Sequence, residues 1–232
     1  MPRLAPIAAL SIAVLAAACD DFRSPAEIVE PQLFGVRAVP PAVAPGEQAR
    51  LEFLIADVDG PRADIPASWA VIEGPGGAEP LGTVAATESG VVYTAPDEVD
   101  VDDDEPAIAA IEAVIELPHR EVVAVKTLRV GEPRENPRIE RVTLDGEGID
   151  ERGEVAAGSE VELDVTADIP LDRVNDVSWA ATAGELELFL RTPVTWVIPD
   201  DAGGTAWLYV AIRDGEGGGD WAAFPIDVAP AQ

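Results

Sequence analysis

The chain has 232 residues, with 44 Asp and Glu against 15 Lys and Arg and a formal charge of −29 at neutral pH. Such a field repels a nucleic-acid backbone and a bare anionic bilayer, which excludes both as electrostatic partners. Apolar residues still make up 47% and recur in short segments, so the composition is not that of a disordered acidic chain.

The first element is a leader. MPRLAPIAALSIAVLAAACDD carries one basic residue, Arg3, then an apolar and small-residue stretch from Leu4 to Ala18, then an abrupt change to Asp20 and Asp21. This is the layout of a secretion signal, and the stretch is short for a membrane-spanning helix. LAAAC resembles the lipobox of bacterial lipoprotein precursors, with Ala18 as the small residue before the cut and Ala16 where that family usually has a branched residue. The resemblance implies that residues 1–18 are a signal peptide and that Cys19 is the lipid attachment point. The alternative is an incidental cysteine behind an ordinary secretory cleavage site. A lone thiol in an exported protein is open to oxidation and unwanted pairing, which favours lipid attachment. Because Cys19 is the only cysteine, no domain has a disulfide. Anchoring to a membrane falls to the lipid, and the expected location is the bacterial cell envelope, facing the periplasm or the exterior.

Residues 19–30 read as the lipidated N-terminus and a flexible tether. From there the chain is a series of short strands broken by Gly, Pro and Asp. LFGVRAV (33–39) comes first, followed by ARLEFLIA (49–56), in which Leu51, Phe53 and Ile55 share one face. WAVIE begins at Trp69, GTVAAT and VVYTAP follow around the turn ESG, and 107–115 pairs with 122–130 across ELPHRE. The alanine-rich 107–115 segment lacks helix caps and is read as a strand.

GEPRENP (131–137) precedes a second block with the same order of features. IERVTL, VELDVTA, VSWAA, ELELFL, PVTWVIP, AWLYVAI and WAAFPIDV are its expected strands. Gly46 to Trp69 spans 23 positions and Gly158 to Trp179 spans 21, and YTAP (93–96) corresponds to WVIP (196–199). Self-similarity of this kind indicates a duplicated domain.

Short strands without helical crossovers, and one early Trp per copy, predict an all-β chain. Trp69, Gly82, Gly90 and Tyr93-Thr94-Ala95-Pro96 in one copy, with Trp179, Gly184, Trp196, Pro199 and Arg213-Asp214-Gly215-Glu216-Gly217-Gly218 in the other, resemble bacterial immunoglobulin-like repeats. The resemblance implies two tandem immunoglobulin-like antiparallel β-sandwiches after the signal peptide. The expected domains are 31–131 and 138–229, joined by the linker 132–137, with Trp69 and Trp179 filling the space between sheets. Nearly collinear sandwiches of about 40 Å each would extend about 80 Å.

Candidate sites are few. DEVDVDDDE (97–105) has seven acidic residues in nine, and Ca²⁺ bridging Asp100, Asp102 and Asp104 stands against a solvated acidic loop or a recognition surface for a basic partner, there being no EF-hand spacing. Asp57-Val58-Asp59-Gly60 and Asp214-Gly215-Glu216 read as turns first and cation ligands second. Trp196, Trp207 and Trp221 form an aromatic set that an exposed sugar-binding platform would need. Tyr209 is assigned either a tyrosine-corner hydrogen bond or ordinary packing. His119, the only histidine, falls in the 117–121 connection, so zinc clusters and Cys/His chemistry are excluded. No required cofactor follows. These features point to a non-catalytic, membrane-anchored protein-binding or envelope-assembly lipoprotein. A carbohydrate-binding surface adhesin is the alternative, and a carboxylate-dependent glycoside hydrolase a further one that no local pattern singles out.

Overall fold

The computed structural model describes residues 24–88, 90–99, 106–173 and 175–231. The expected signal peptide (1–18), Cys19, Asp100, Asp102 and Asp104 lie outside these residues. Seventeen strands follow one another. The first eight are β1 (Gln32–Val39), β2 (Ala42–Val43), β3 (Gln48–Ala56), β4 (Ala67–Ile72), β5 (Thr83–Thr87), β6 (Gly90–Thr94), β7 (Ala107–Leu117) and β8 (Arg120–Val130). The rest are β9 (Ile139–Leu144), β10 (Glu147–Gly148), β11 (Gly153–Ala156), β12 (Glu160–Ala167), β13 (Val177–Ala181), β14 (Glu185–Glu187), β15 (Val194–Val197), β16 (Gly204–Arg213) and β17 (Gly219–Ala229).

They form two sandwiches. Sheet β1-β3-β6-β5 faces sheet β2-β8-β7-β4, and sheet β10-β9-β12-β15-β14 faces sheet β11-β17-β16-β13. Alternation fills each interior: Ala49, Leu51, Ile111, Leu128 and Val130 in the first, Leu163, Val165, Trp179, Leu208, Val210 and Ile226 in the second. Pairing is antiparallel except at β2–β8 and β11–β17. The 107–117 segment is a strand, as its missing caps predict, and His119 is exposed in the turn after it.

The two copies agree in detail. Tyr93 Oη donates to Leu81 O at 3.1 Å, and Trp196 Nε1 donates to Ala183 O at 2.8 Å. The next residue in each case is a left-handed glycine, Gly82 at φ 85° and Gly184 at φ 78°. A Cβ there would strike Thr94 O at 2.6 Å or Val197 O, so both copies need glycine for the same close approach. Gly46 N–H donates to Pro96 O and Gly158 N–H to Pro199 O, matching the YTAP and WVIP correspondence.

Three expectations change. First, the domains are not a collinear array: the outer face of β1 and β3 packs against the outer face of β13, β16 and β17. Leu54 and Ala56 meet Ala180 and Tyr209 in one buried cluster, with Phe34, Trp207, Trp221 and Ala223 around it. Trp207 lies so close to Gly60, at φ 116°, that a Cβ would stand 2.7 Å from its ring. Second, residues 26–28 do not hang free. Ala181 N–H donates to Ala26 O at 2.9 Å and Ile28 N–H to Ala181 O at 2.8 Å, so this strap lines the β13 edge of the second domain before entering the first. Third, the linker 132–137, expected only to join the sandwiches, is held by both. Asn136 Nδ2 donates to Ala38 O at 2.7 Å, and Asn136 Oδ1 accepts from Gly219 N–H at 2.9 Å, one side chain bridging both domains. No described helix is long and apolar enough to cross a membrane.

Candidate binding cleft

The seam between the domains uses several of the residues picked out in the sequence. Tyr209 sits on the outer face of β16, where its hydroxyl donates to Asp57 O at 2.7 Å and accepts from Asp57 N–H at 3.2 Å. It is therefore neither a corner tyrosine nor simple strand packing, but a bond between domains. Burial pushes its phenol up to about 12, against the hydrogen bond accepted from Asp57 N–H, which favours the phenolate. Arg37 stacks 4.1 Å over Trp221 and pairs with Asp220 at 2.6 Å and Glu52 at 2.8 Å. The hairpin between β16 and β17 is clasped by the first domain and the linker: Lys126 Nζ donates to Gly217 O, and Arg134 pairs with Glu216 and with Asp214.

The RDGxGG motif builds that hairpin. Asp214 Oδ1 accepts from Glu216 N–H and Gly218 N–H, each at 2.8 Å, and Asp57 Oδ1 accepts from Val58 N–H at 2.7 Å. Both aspartates thus serve local turns. Among the described residues no three His, Cys, Asp or Glu side chains gather as a cation site.

The Trp residues separate. Trp196 is 0% exposed and Trp179 1%, both in the second domain's core. Trp207 and Trp221 are half-buried at the seam. Trp196, Trp207 and Trp221 therefore do not share an exposed platform, because strand alternation sends Trp196 inward and the other two to the opposite face of their sheet. Trp69 departs from expectation as well. It is half-buried, stacked on Phe53 with ring centroids 6.3 Å apart, and lines a cleft of about 620 Å³.

The cleft opens where the first sandwich is incomplete. β3 has nine residues, but β6 pairs with it only over Gln48–Leu51. Past that point Phe53 and the end of β6 diverge, and the gap is walled by Phe53, Ile65, Ala67, Trp69, Val91 and Trp221. Arg62 stands at the rim, held to Asp64 at 3.0 Å and Asp57 at 3.3 Å. Those carboxylates raise its guanidinium pKa, and Arg62 in turn lowers that of Asp64.

Polar groups converge on this gap. Glu116 N–H donates to Pro66 O at 3.0 Å, so even-numbered residues of β4 bond to β7 and the amides of Ala67, Trp69 and Val71 point to the free edge. The Trp69 indole N–H has no acceptor among the described residues. Strand edges with unpaired groups are templates for another chain.

The second domain has the same gap, filled. ELELFL forms a strand only over 185–187; from Leu188, at φ 55°, the chain turns back over Trp179. Trp179 N–H donates to Phe189 O at 2.8 Å and its indole N–H to Arg191 O at 3.0 Å. Thr192 Oγ1 accepts from Val165 N–H at 3.2 Å, and Phe189 packs against the core. In the first domain the corresponding residues, AATESG, are small or polar and carry the β5–β6 hairpin on to Thr87↔Gly90. They leave Trp69 uncovered. The signal for this site was the contrast between ELFLRTP in one copy and AATESG in the other.

No family model matches the chain, and no curated protein matches it. Among solved structures it is similar to the N-terminal Ig1-2 module of the Drosophila receptor protein tyrosine phosphatase DLAR, at 16% identity and a TM-score of 0.34 over 86% of this chain and 98% of that one. It is also similar to the fibronectin(III)-like modules of Clostridium thermocellum CbhA, at 12% identity and a TM-score of 0.33 over 87% and 95%. Latent PorU from Porphyromonas gingivalis gives 12% identity and a TM-score of 0.29 over 88% of this chain and 24% of that one. At these scores the two-sandwich architecture rests on the sheets described above.

Proposed function

We propose that this chain is a non-catalytic, lipid-anchored lipoprotein of the bacterial cell envelope that binds another protein through the open side of its first sandwich. The observation that carries the binding role is the cleft beside Trp69, where apolar side chains and unpaired strand-edge amides face outward together. Apolar burial supplies affinity at such a site and edge amides supply direction. The seam supports the same reading: Tyr209, Asn136 and Arg37 hold two domains as one body, so the cleft is presented in a fixed orientation.

The anchoring rests on the leader and Cys19. Detergent partitioning of the expressed precursor tests it: the wild type enters the detergent phase with bound lipid, and Cys19→Ala stays aqueous. Equal, lipid-free partitioning of both removes the anchor. Binding is tested by site-specific photocrosslinking in cells from exposed positions around the cleft and on the outer face of β8. A crosslinked protein is expected, and none from any position removes the binding role.

A further inference from the structure

We infer that the cleft of the first domain receives a short, bent, aromatic-containing apolar peptide segment of a partner protein, packed at the β4 edge with its carbonyls accepting from Trp69 N–H and Nε1–H. This rests on the protein-binding role and names the partner's chemistry. The second domain shows what fits, because it supplies such a segment to itself.

The two sites match position by position. Leu51↔Val91 and Leu163↔Val194 are the last pairs of their ladders, so Phe53 corresponds to Val165 and Trp69 to Trp179. In the second domain Leu188–Pro193 presents two carbonyls to the tryptophan, from Phe189 and Arg191, and a hydroxyl to the neighbouring strand, from Thr192. The first domain holds the same three donors, Trp69 N–H, Trp69 Nε1–H and Phe53 N–H, around an empty apolar volume. A ligand completing it therefore carries an aromatic residue followed three positions later by Thr or Ser, in a bent backbone like the turn of 188–193. Backbone bonds at the strand edge supply affinity and the side-chain pocket supplies selectivity. Trp221 closes the far side of the cleft, which makes docking depend on the seam. A sugar stacked on Trp69 would leave these donors without the two carbonyls and the hydroxyl that the second domain gives their counterparts.

The test uses the full chain in detergent and a synthetic peptide of the sequence Leu186–Pro193, LELFLRTP. The Trp69 indole N–H resonance, assigned by its loss in Trp69→Phe, should shift saturably, while the Trp179 resonance, already covered, stays in place. Serine in place of the peptide's phenylalanine should weaken binding by roughly tenfold or more. So should Ala63→Trp, which blocks the exposed rim without entering the core. No Trp69 shift up to about 1 mM peptide, or an equal shift with the serine peptide, overturns the inference. A Trp69 shift produced by a soluble oligosaccharide and not by the peptide overturns it in favour of a glycan site. A photocrosslinker at Ala63 and another at Val123, exposed on the outer face of β8, separate the two levels. Crosslinking from Val123 alone keeps the protein-binding role and removes this site, whereas crosslinking from neither removes both.

Discussion

Tyr209 has a side chain that the sequence assigns to its own domain and the fold gives to the other. Its hydroxyl closes two bonds with the backbone of Asp57 in a seam without water-facing alternatives. Tyr209→Phe leaves the ring in place and strands those groups, so it should lower stability by about 1–2 kcal/mol, measured by denaturant unfolding. A value near zero would mean that the seam relaxes around the loss. The chain's two tyrosines also make alkaline unfolding readable. Burial raises both Tyr93 and Tyr209 to about 12, whereas an unfolded phenol ionises near 10. Below pH 10 both states keep the proton and the stabilisation is intact. As pH rises from 10 to 12 the unfolded chain releases protons that the fold retains, and stability falls. Phenolate absorbance and near-UV dichroism should therefore change together in that window. Phenolate appearing at its ordinary pH with dichroism unchanged would contradict the burial of both rings.

At the scale of elements, most of the architecture was legible and the seam was not. Period-two alternation located β3 and β12, missing helix caps and bounding turns located β7, β16 and β17, and the Gly-Trp and YTAP/WVIP spacings located the duplication, because an inward face and a tight turn leave marks in local sequence. A signal for the seam was present in the same strands. ARLEFLIA has Leu54 and Ala56 opposite Phe53 and Ile55, and AWLYVAI is apolar on both faces; a strand covered on both sides reads this way. The Lys126 position carried another, as the chain's sole lysine on the core-facing side of β8. By contrast, Ala26 and Ile28 in a polar-looking stretch gave no period to read, so a tether was expected where a strap is found. Ile28 is 0% exposed, packed among Leu54, Ala56, Ala180 and Tyr209. Ile28→Ala should cost about 2–4 kcal/mol by denaturant unfolding, far more than any substitution in a free tether. A loss below about 0.5 kcal/mol would return the segment to a tether.

Over the whole molecule, charge and packing oppose each other. An excess of 29 negative charges repels itself across a chain held by apolar interiors and a partly apolar seam. The ion pairs range from half-buried at Arg37 to exposed at Arg138 and Arg152, the exposed ones each worth about 0–1 kcal/mol, so screening relieves more repulsion than it removes attraction. Raising NaCl from about 0.01 to about 0.5 M should raise the melting temperature, with the largest gain at the low end. A fall would assign the clasp of Lys126 and Arg134 on the 214–217 hairpin a greater share of the stability than the apolar contacts.

The strap has a consequence for the order in which the molecule assembles. Ala26 and Ile28 leave the ribosome, and any export channel, ahead of both sandwiches, yet their partners at Ala180, Ala181 and Tyr209 follow more than 150 residues later. The first sandwich can close while Leu54, Ala56 and Phe34 are still bare on its flank. Contacts so distant in sequence are slow to form, and surfaces waiting for them are prone to mispairing in the interval. The nascent chain thus passes through a stage with a finished domain, an unfastened strap and an uncovered apolar flank, and the second sandwich, once it emerges, is the one that fastens residues 26–28 in place.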